Sequence, residues 1–246
     1  NIVDKYQKLV GKTVFGSVVR IDNDENTYIE IDEIRAVLPR KNRIKGEKFK
    51  VGNVVKSVIR KVMIDKSQGI YVELSRTSPK FLESLLELEV PEIKDGLIKI
   101  VGSARIPGER AKISLMSLHP NIDAVGATVG TRGVRINAVS KELSDENIDC
   151  IEYSNIPEIF IARALSPAII SNVKIQNGKA IVTLPSDQKS KAIGKSGINI
   201  RLTSMLSGFE IELVESGGAA VNADDSTKDD QPSRDPNALK NLFGGL

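Results

Sequence analysis

Two short segments of this 246-residue chain each place a pair of glycines three positions apart, with polar residues between them. The segments are Gly130–Gly133, which reads Gly-Thr-Arg-Gly, and Gly194–Gly197, which reads Gly-Lys-Ser-Gly. Because glycine has no Cβ, a ligand can approach the main chain closely at such a turn. Unpaired amides at the start of a helix favour anions, and Arg132 and Lys195 add positive charge. The pattern indicates two sites for phosphate groups.

The surroundings of the two glycine pairs repeat as well. Each pair follows a helix, two strand-like runs and a second helix, and each is followed by a further helix and an alternating strand. A single Gly-x-x-Gly often marks an ordinary turn, whereas two copies of one supersecondary unit carry more weight. The repeat favours two modules that bind single-stranded RNA at these turns. Bases would then lie in an aliphatic groove near Val134, Ile136, Ile198 and Ile200.

The segment from residue 10 to residue 76 contains short apolar runs separated by polar turns. The predicted strands are 14–21, 28–31, 35–38, 54–64 and 69–74. Five short strands in this space predict a small closed barrel of the oligonucleotide-binding type, and a short β-sandwich is the alternative. Phe15 and Tyr28 lie in strands where bases could stack, although core packing would also explain them. Arg40 and Lys41 begin a basic run that could follow an RNA backbone or form a solvated loop.

Composition excludes several other classes of protein. No run approaches the roughly 18–20 apolar residues of a membrane helix, we expect no signal peptide, and Cys150 is the one cysteine of the sequence. A single histidine gives neither a catalytic set nor metal-ligand spacing. A nucleotide-binding loop ending in Gly194-Lys195-Ser196 would need glycine at position 189, where the chain has Lys189. We therefore expect no enzyme activity, cofactor or metal.

Charge is unevenly distributed along the chain. The stretch from Glu215 to Leu246 holds six acidic and three basic residues, which leaves residues 1–214 with 32 basic and 26 acidic residues, a net charge of +6. A moderately basic body fits a polyanionic partner but is weak evidence by itself. The last stretch is rich in Gly, Ala, Ser, Asp and Pro without periodicity, which predicts a disordered tail.

Several longer motifs carry a family resemblance. They are Val90–Ile93, Arg105–Lys112, His119–Gly133, Leu165–Ala168 and Ala192–Leu202. Through them the chain resembles, over about residues 10–215, the RNA-binding part of the bacterial NusA family of transcription elongation and termination factors. The resemblance implies an S1-type barrel followed by two prokaryotic-type KH domains, without catalysis. It also implies binding to nascent RNA, effects on pausing, termination and antitermination, and partnership with RNA polymerase and other antitermination factors.

The expected fold is α+β and multidomain: an all-β S1-type oligonucleotide-binding barrel, two type II KH domains and a disordered tail. The expected divisions are 1–9 for the end of a preceding helix, 10–78 for the barrel, 79–154 and 155–215 for the KH domains, and 216–246 for the tail. The family's polymerase-binding N-terminal domain is expected to be missing. We expect a cytoplasmic monomer that has no membrane association.

The candidate RNA-binding residues come from the turns, the helices after them, the barrel and the segment around Pro107. They are Gly130, Thr131, Arg132, Gly133, Arg135, Gly194, Lys195, Ser196, Gly197, Arg201, Phe15, Tyr28, Arg40, Lys41, Arg105, Arg110 and Lys112. A surface hairpin without RNA contact is the alternative for the last three. For the chain as a whole, two alternatives remain: an RNA-binding accessory module of an RNA-processing enzyme such as polynucleotide phosphorylase, and a protein-interaction scaffold.

Overall fold

The structure, a computed structural model, describes residues 1–216, so the predicted tail after Ser216 lies outside the described residues. The described chain forms two compact units. The first comprises Asn1–Ile100, Pro107–Glu109 and Ser117–Ile148. The second comprises Val101–Ile106, Arg110–Met116 and the described residues from Asp149 onward. Within residues 1–216, no helix has the length and apolar character needed to cross a membrane.

The chain begins with a short helix, α1, and a five-stranded closed barrel. Their bounds are α1 Ile2–Gln7, β1 Thr13–Ile21, β2 Thr27–Ile31, β3 Ile34–Leu38, β4 Val54–Asp65 and β5 Gly69–Ser75. The strand order is β1-β2-β3-β5-β4, and β1 closes the barrel by pairing antiparallel with β4. Period-two alternation places Ile29 and Ile31 of β2 in the core and turns Tyr28 and Glu30 outward.

Gly16 allows β1 to lie close against β2. A Cβ at this position would overlap the carbonyl oxygen of Glu30 and press on the side chains of Ile29 and Ile31. Glycine inside a strand often marks such a close approach between backbones. Residue 16 is therefore restricted by the space available inside the barrel.

The first repeated module follows the barrel. Its elements are α2 Pro79–Glu89, α3 Pro91–Lys94, β6 Ile98–Ile106, β7 Arg110–Ser117, α4 Ala124–Val129, α5 Val134–Glu142 and β8 Asn147–Glu152. Helix α2 starts with Pro79 in its first turn, and the Ser78 side chain accepts a hydrogen bond from the Lys80 amide. Such a cap satisfies one of the unpaired amides at a helix start. The three strands form one sheet in the order β6-β7-β8.

The second repeated module has the same order of elements, except that no helix corresponds to α3. They are α6 Pro157–Ala164, β9 Asn172–Gln176, β10 Lys179–Pro185, α7 Lys189–Ile193, α8 Ile198–Ser207 and β11 Glu210–Ser216. Strand β10 is central, antiparallel to β9 and parallel to β11. The apolar core of this module is formed by residues from α6, the sheet, α7 and α8, including Ile161, Val182, Ala192, Ile200 and Leu213.

The close approach at Gly16 leads to a stability prediction. Gly16→Ala should lower the free energy of unfolding by about 1–3 kcal/mol, because the added methyl group must displace the backbone of β2. Urea unfolding followed by circular dichroism measures the change. Ser17→Ala, an exposed neighbour in the same strand, should stay within about 0.5 kcal/mol of the parent. A Gly16→Ala protein as stable as the Ser17→Ala control would contradict the packing argument.

Candidate nucleic-acid interface

The first paired-glycine turn joins α4 to α5 through left-handed backbone conformations. Gly130 has φ 79° and ψ 169°, Arg132 has φ 56° and ψ 26°, and Gly133 has φ 74° and ψ 15°. The second turn, between α7 and α8, has almost the same dihedral angles. Gly194 has φ 77° and ψ 171°, and Ser196 has φ 55° and ψ 25°. The two turns are therefore copies of one backbone shape.

The first glycine of each turn is required by both conformation and space. Positive φ is easily adopted by glycine and is unfavourable for most other residues. A Cβ on Gly130 would lie 2.9 Å from Cγ of Arg135, and one on Gly194 would lie 2.7 Å from Cβ of Asn199. Any other residue at either position would thus be strained and would also push the following helix away.

The side chain two residues after each turn holds the turn against the preceding helix. Arg135 donates from Nη1 to the carbonyl oxygen of Ala127 at 2.8 Å and to Oε2 of Glu92 at 2.7 Å. At the matching position, buried Asn199 donates from Nδ2 to the carbonyl oxygens of Ala192 and Leu165 at 3.0 and 3.1 Å. The equal spacing from the second glycine could have revealed Asn199 in the sequence, where it was missed.

Within each turn, the glycine amides are hydrogen-bonded internally and the two middle residues are exposed. The amides of Gly130 and Gly133 donate to the carbonyl oxygens of Gly126 and Gly130, and those of Gly194 and Gly197 donate to the carbonyl oxygens of Ser190 and Gly194. Gly197 is also buried. Internal acceptors thus occupy the glycine amides, and the phosphate contact expected at each turn stays a prediction for the rest of the turn. The middle residues, Thr131 with Arg132 and Lys195 with Ser196, are exposed.

The predicted aliphatic groove is only partly open. Val134 is 63% exposed, whereas Ile136 and Ile198 are half-buried. Ile200 is fully buried in the core of the second module, so it cannot contact a base. Arg201, in α8, is partly exposed and stays a candidate contact.

Two of the predicted barrel residues lie on its outer surface. Phe15 is 67% exposed, opposite Lys56 in the β1–β4 register. Tyr28 is half-buried, and the guanidinium carbon of Arg20 lies 4.5 Å from its ring centroid. Core packing therefore does not explain either aromatic side chain.

Tyr28 shares a pocket of about 410 Å³ with Tyr71, which the sequence analysis overlooked. Arg35, Val37 and Gln68 also line this pocket. Burial and the nearby Glu73 carboxylate raise the pKa of Tyr71, so its hydroxyl stays protonated at neutral pH. The pocket thus combines two aromatic rings with the Arg35 guanidinium and the Glu33 carboxylate.

The basic run after β3 lines a second pocket, of about 670 Å³. Arg40 and Lys41 contribute to it together with Arg43, Lys45 and Asn26. The carboxylate of Glu25 pairs with Arg40 at 3.1 Å and with Arg43 at 3.3 Å. Glu25 thus pairs with two of the four cations that line the pocket, and the excess of positive charge suits the pocket to a polyanion.

The structure corrects the prediction for Lys112. Its side chain is fully buried, and Nζ donates to Oδ2 of Asp149 at 2.9 Å and to the carbonyl oxygen of Ser166 at 3.0 Å. Burial lowers the pKa of Lys112, and the Asp149 carboxylate opposes that shift. An ammonium group enclosed in this way cannot reach a phosphate.

The neighbours of Lys112 are also engaged. Arg110 pairs with Asp149 through two hydrogen bonds, of 2.7 and 2.9 Å, and Arg105 is buried, which argues against the RNA contact predicted for it. Arg110 remains partly exposed.

Burial raises the pKa of Cys150 to about 12, with a further contribution from Asp149, so its thiol stays protonated at neutral pH. Among residues 1–216, no cluster of three or more His, Cys, Asp or Glu side chains could hold a metal.

Comparisons with known proteins agree with the duplicated geometry. Residues 76–153 match the model of a NusA-like first KH domain, and residues 157–221 match that of a NusA-like second KH domain. The class of protein defined by the two turns is therefore the KH-domain proteins, which clamp nucleic acid at a Gly-x-x-Gly turn.

Full-length relatives give the family. The transcription termination/antitermination protein NusA of Helicobacter pylori strain 26695 is 46% identical, over 98% of this chain and 67% of its own length. The proteins of that name from Thermus thermophilus and Bacillus subtilis are 42% and 38% identical, over 87% and 80% of this chain and 56% and 53% of their own lengths. The chain belongs to the NusA family. A solved structure titled "Crystal structure of APE1850" covers 55% of this chain and 95% of its own, with 22% identity and a TM-score of 0.39, too low to add to this assignment.

The burial of Lys112 leads to a prediction that separates structure from binding. Lys112→Met should lower the free energy of unfolding by about 1–3 kcal/mol, because Ser166 loses a donor and Asp149 loses one of its two cations. The RNA affinity of the folded protein should not change. Lys195→Met should do the reverse, with weaker RNA binding and stability within about 0.5 kcal/mol of the parent. Weaker RNA binding by folded Lys112→Met protein would show that the buried ammonium does take part.

Proposed function

We propose that this chain binds single-stranded RNA, without catalysis, as part of a transcription elongation factor that modulates pausing, termination and antitermination. The observation that carries the proposal is the pair of paired-glycine turns with one backbone shape and exposed middle residues, in segments that match NusA-like KH domains. The relatives carry the name of a transcription factor and not of an enzyme, which supports a non-catalytic role. The same relatives favour this function over an accessory module of polynucleotide phosphorylase.

In each KH turn, the backbone fixes where a nucleotide chain can lie. Because the glycine amides are used internally, we assign the phosphate contacts to the middle residues, Thr131 with Arg132 and Lys195 with Ser196. Their side chains offer hydroxyl and cationic donors, and charge-assisted hydrogen bonds to phosphate are among the stronger ones in proteins. The glycines allow the sugar-phosphate chain to approach, and Arg201 adds a cation one helical turn further on.

The barrel would supply a second type of contact. Its strand order, with β1 paired to β4 and β3 parallel to β5, fits an S1-type oligonucleotide-binding fold. We assign base stacking to Phe15, Tyr28 and Tyr71, and phosphate contacts to the basic pocket that contains Arg40 and Lys41. Base–aromatic stacking is tolerant of sequence and contributes about 1–3 kcal/mol per base.

The finer organisation is part of the same proposal. The order of elements and the mixed sheet of the second module support type II KH domains, with divisions at about residues 78, 154 and 215. We propose nascent RNA as the ligand, RNA polymerase and other antitermination factors as partners, and a monomer acting in the cytoplasm. Co-purification with the transcription complex would test the partners separately from RNA binding.

Charge reversal at the turns tests the clamp. Thr131→Asp with Arg132→Asp, and Lys195→Asp with Ser196→Asp, place negative charge where phosphates are expected. Aspartate tolerates the left-handed conformation at the third position of each turn, so folding should be retained. We expect RNA affinity to fall about tenfold or more, and the slope of log affinity against log salt to become shallower by about 0.7 per lost phosphate contact. Fluorescence anisotropy with single-stranded RNA measures both quantities.

A control with the same change in charge is available in the second module. Lys174→Asp with Asn177→Asp also changes the net charge by three, and Asn177 occupies a left-handed position in an exposed turn without paired glycines. This variant should bind RNA within about twofold of the parent. Equal losses in the control and in the Lys195 and Ser196 variant would show that only overall charge matters, and the clamp would then be rejected.

A further inference from the structure

Arg76 occupies a buried junction between the barrel and the first repeated module. It lies directly after β5 and before α2, and its side chain is 6% exposed. Nε and Nη2 donate to the two carboxylate oxygens of Glu47 at 3.0 and 2.9 Å, which is the bidentate geometry that favours arginine. Glu47 belongs to the connection between β3 and β4, so this half of the contact is made within the barrel.

The other donors of Arg76 reach helix α5. Nη1 donates to Oε1 of Glu142 at 2.9 Å and Nη2 to the Glu142 carbonyl oxygen at 2.8 Å. Nη1 also donates to the carbonyl oxygen of Lys56 in β4. All five guanidinium N–H groups thus have acceptors. Two aromatic rings also lie near the guanidinium carbon of Arg76. The centroid of Phe49, on the connection between β3 and β4, is 5.7 Å away, and that of Phe81, in α2, is 5.2 Å away.

Further contacts reinforce the same junction. Ser144 donates from Oγ to Oε1 of Glu47 at 2.9 Å, which ties the end of α5 to the barrel a second time. Ile44, in the basic run, is 1% exposed, and a Cβ on Gly108 in the β6–β7 turn would lie 2.9 Å from its side chain. The loop that carries the basic pocket is therefore packed against the first module.

Helix α5 connects this junction to the first paired-glycine turn. Its nine residues run from Val134, next to the turn, to Glu142, at the junction. At 1.5 Å per residue the helix spans about 14 Å. Any rotation of the barrel about the junction would therefore move the basic pocket relative to the turn.

We propose that Arg76 is a positioning residue that fixes the barrel to the first KH module, so that one RNA strand engages the basic pocket and the first turn together. The inference rests on the proposed RNA binding and adds the residue that sets the spacing between two of its contact sites. Linking two weak sites rigidly raises the overall affinity by making the second contact intramolecular, commonly by 10²–10⁴-fold. Lysine cannot replace Arg76, because an ammonium group has three donors and no planar fork.

The experiment compares two RNAs of random sequence on the parent and on the Arg76→Lys variant. One RNA has about 4 nucleotides, enough for one KH turn, and the other has about 20 nucleotides, enough for barrel and turn together. We expect Arg76→Lys to keep the short-RNA affinity within about twofold and to lose about tenfold or more of the long-RNA affinity. Arg163→Lys is the control, since Arg163 donates to the Glu152 carbonyl oxygen inside the second unit and should change neither affinity.

A distance measurement covers the case in which Arg76→Lys folds poorly. Glu142→Gln is the milder variant, because it keeps an acceptor oxygen and removes the charge from a side chain that is 31% exposed. Spin labels on Glu30→Cys and Ala138→Cys, both exposed, report the distance between barrel and α5. Because burial raises the pKa of Cys150 to about 12, the native thiol should label slowly. We expect a broader distance distribution in either junction variant than in the parent.

The outcomes separate this inference from the proposed function. An unchanged ratio of long-RNA to short-RNA affinity in a folded junction variant overturns the inference and leaves RNA binding intact. An unchanged distance distribution in both variants overturns it as well, whatever RNA does. Failure of the parent to bind either RNA would instead reject the proposed function, and with it the assignment of Arg76 to RNA positioning.

Discussion

The left-handed backbone at the first glycine of each turn is the constraint on which the candidate interface depends. Positive φ at Gly130 and Gly194 redirects the chain between two helices, and the following helix fills the space where a Cβ would lie. Glycine is therefore needed for conformation and for volume at once. Once the glycines fix the shape and satisfy their own amides, the two middle residues of each turn are left at the surface, where charge can meet a phosphate.

The two copies maintain this shape with different chemistry. Arg135 is half-buried and pairs with Glu92, so its charge is compensated while it bonds the Ala127 carbonyl oxygen. Asn199 performs the same task at 2% exposure, where an unpaired charge would cost far more to bury than a neutral amide does. The two modules thus share the hydrogen bond that holds the turn, and the side chain that makes it matches the burial of each site.

Local patterns predicted local structure well. The five barrel strands agree with the predicted bounds within one residue at each end, because turn residues and period-two alternation lie next to the strands they define. The failures are long-range. Lys112 looked like a surface cation, yet its partners Asp149 and Ser166 lie 37 and 54 residues away. Tyr71 was not predicted because the long-range pairing of β3 with β5, and not a sequence spacing, brings it near Tyr28. Local sequence patterns could not predict the five acceptor atoms around Arg76 either, because they belong to residues distant in sequence.

The basic run shows how such long-range contacts could prepare a binding surface. Asn42 and Ile44 are buried, and Asn42 donates from Nδ2 to the Leu74 carbonyl oxygen at 3.0 Å, whereas Lys41 and Lys45 on either side of this pair are exposed. The two buried residues anchor the loop and leave the two lysines at the surface, while Arg43 between the anchors is mostly buried and pairs with Glu25. Because a fixed loop loses less conformational entropy on binding than a mobile one, cations held in this way bind a polyanion more tightly than the same charges on a flexible segment. Charge alone therefore understates what residues 40–46 can contribute, since their anchoring matters as much as their number.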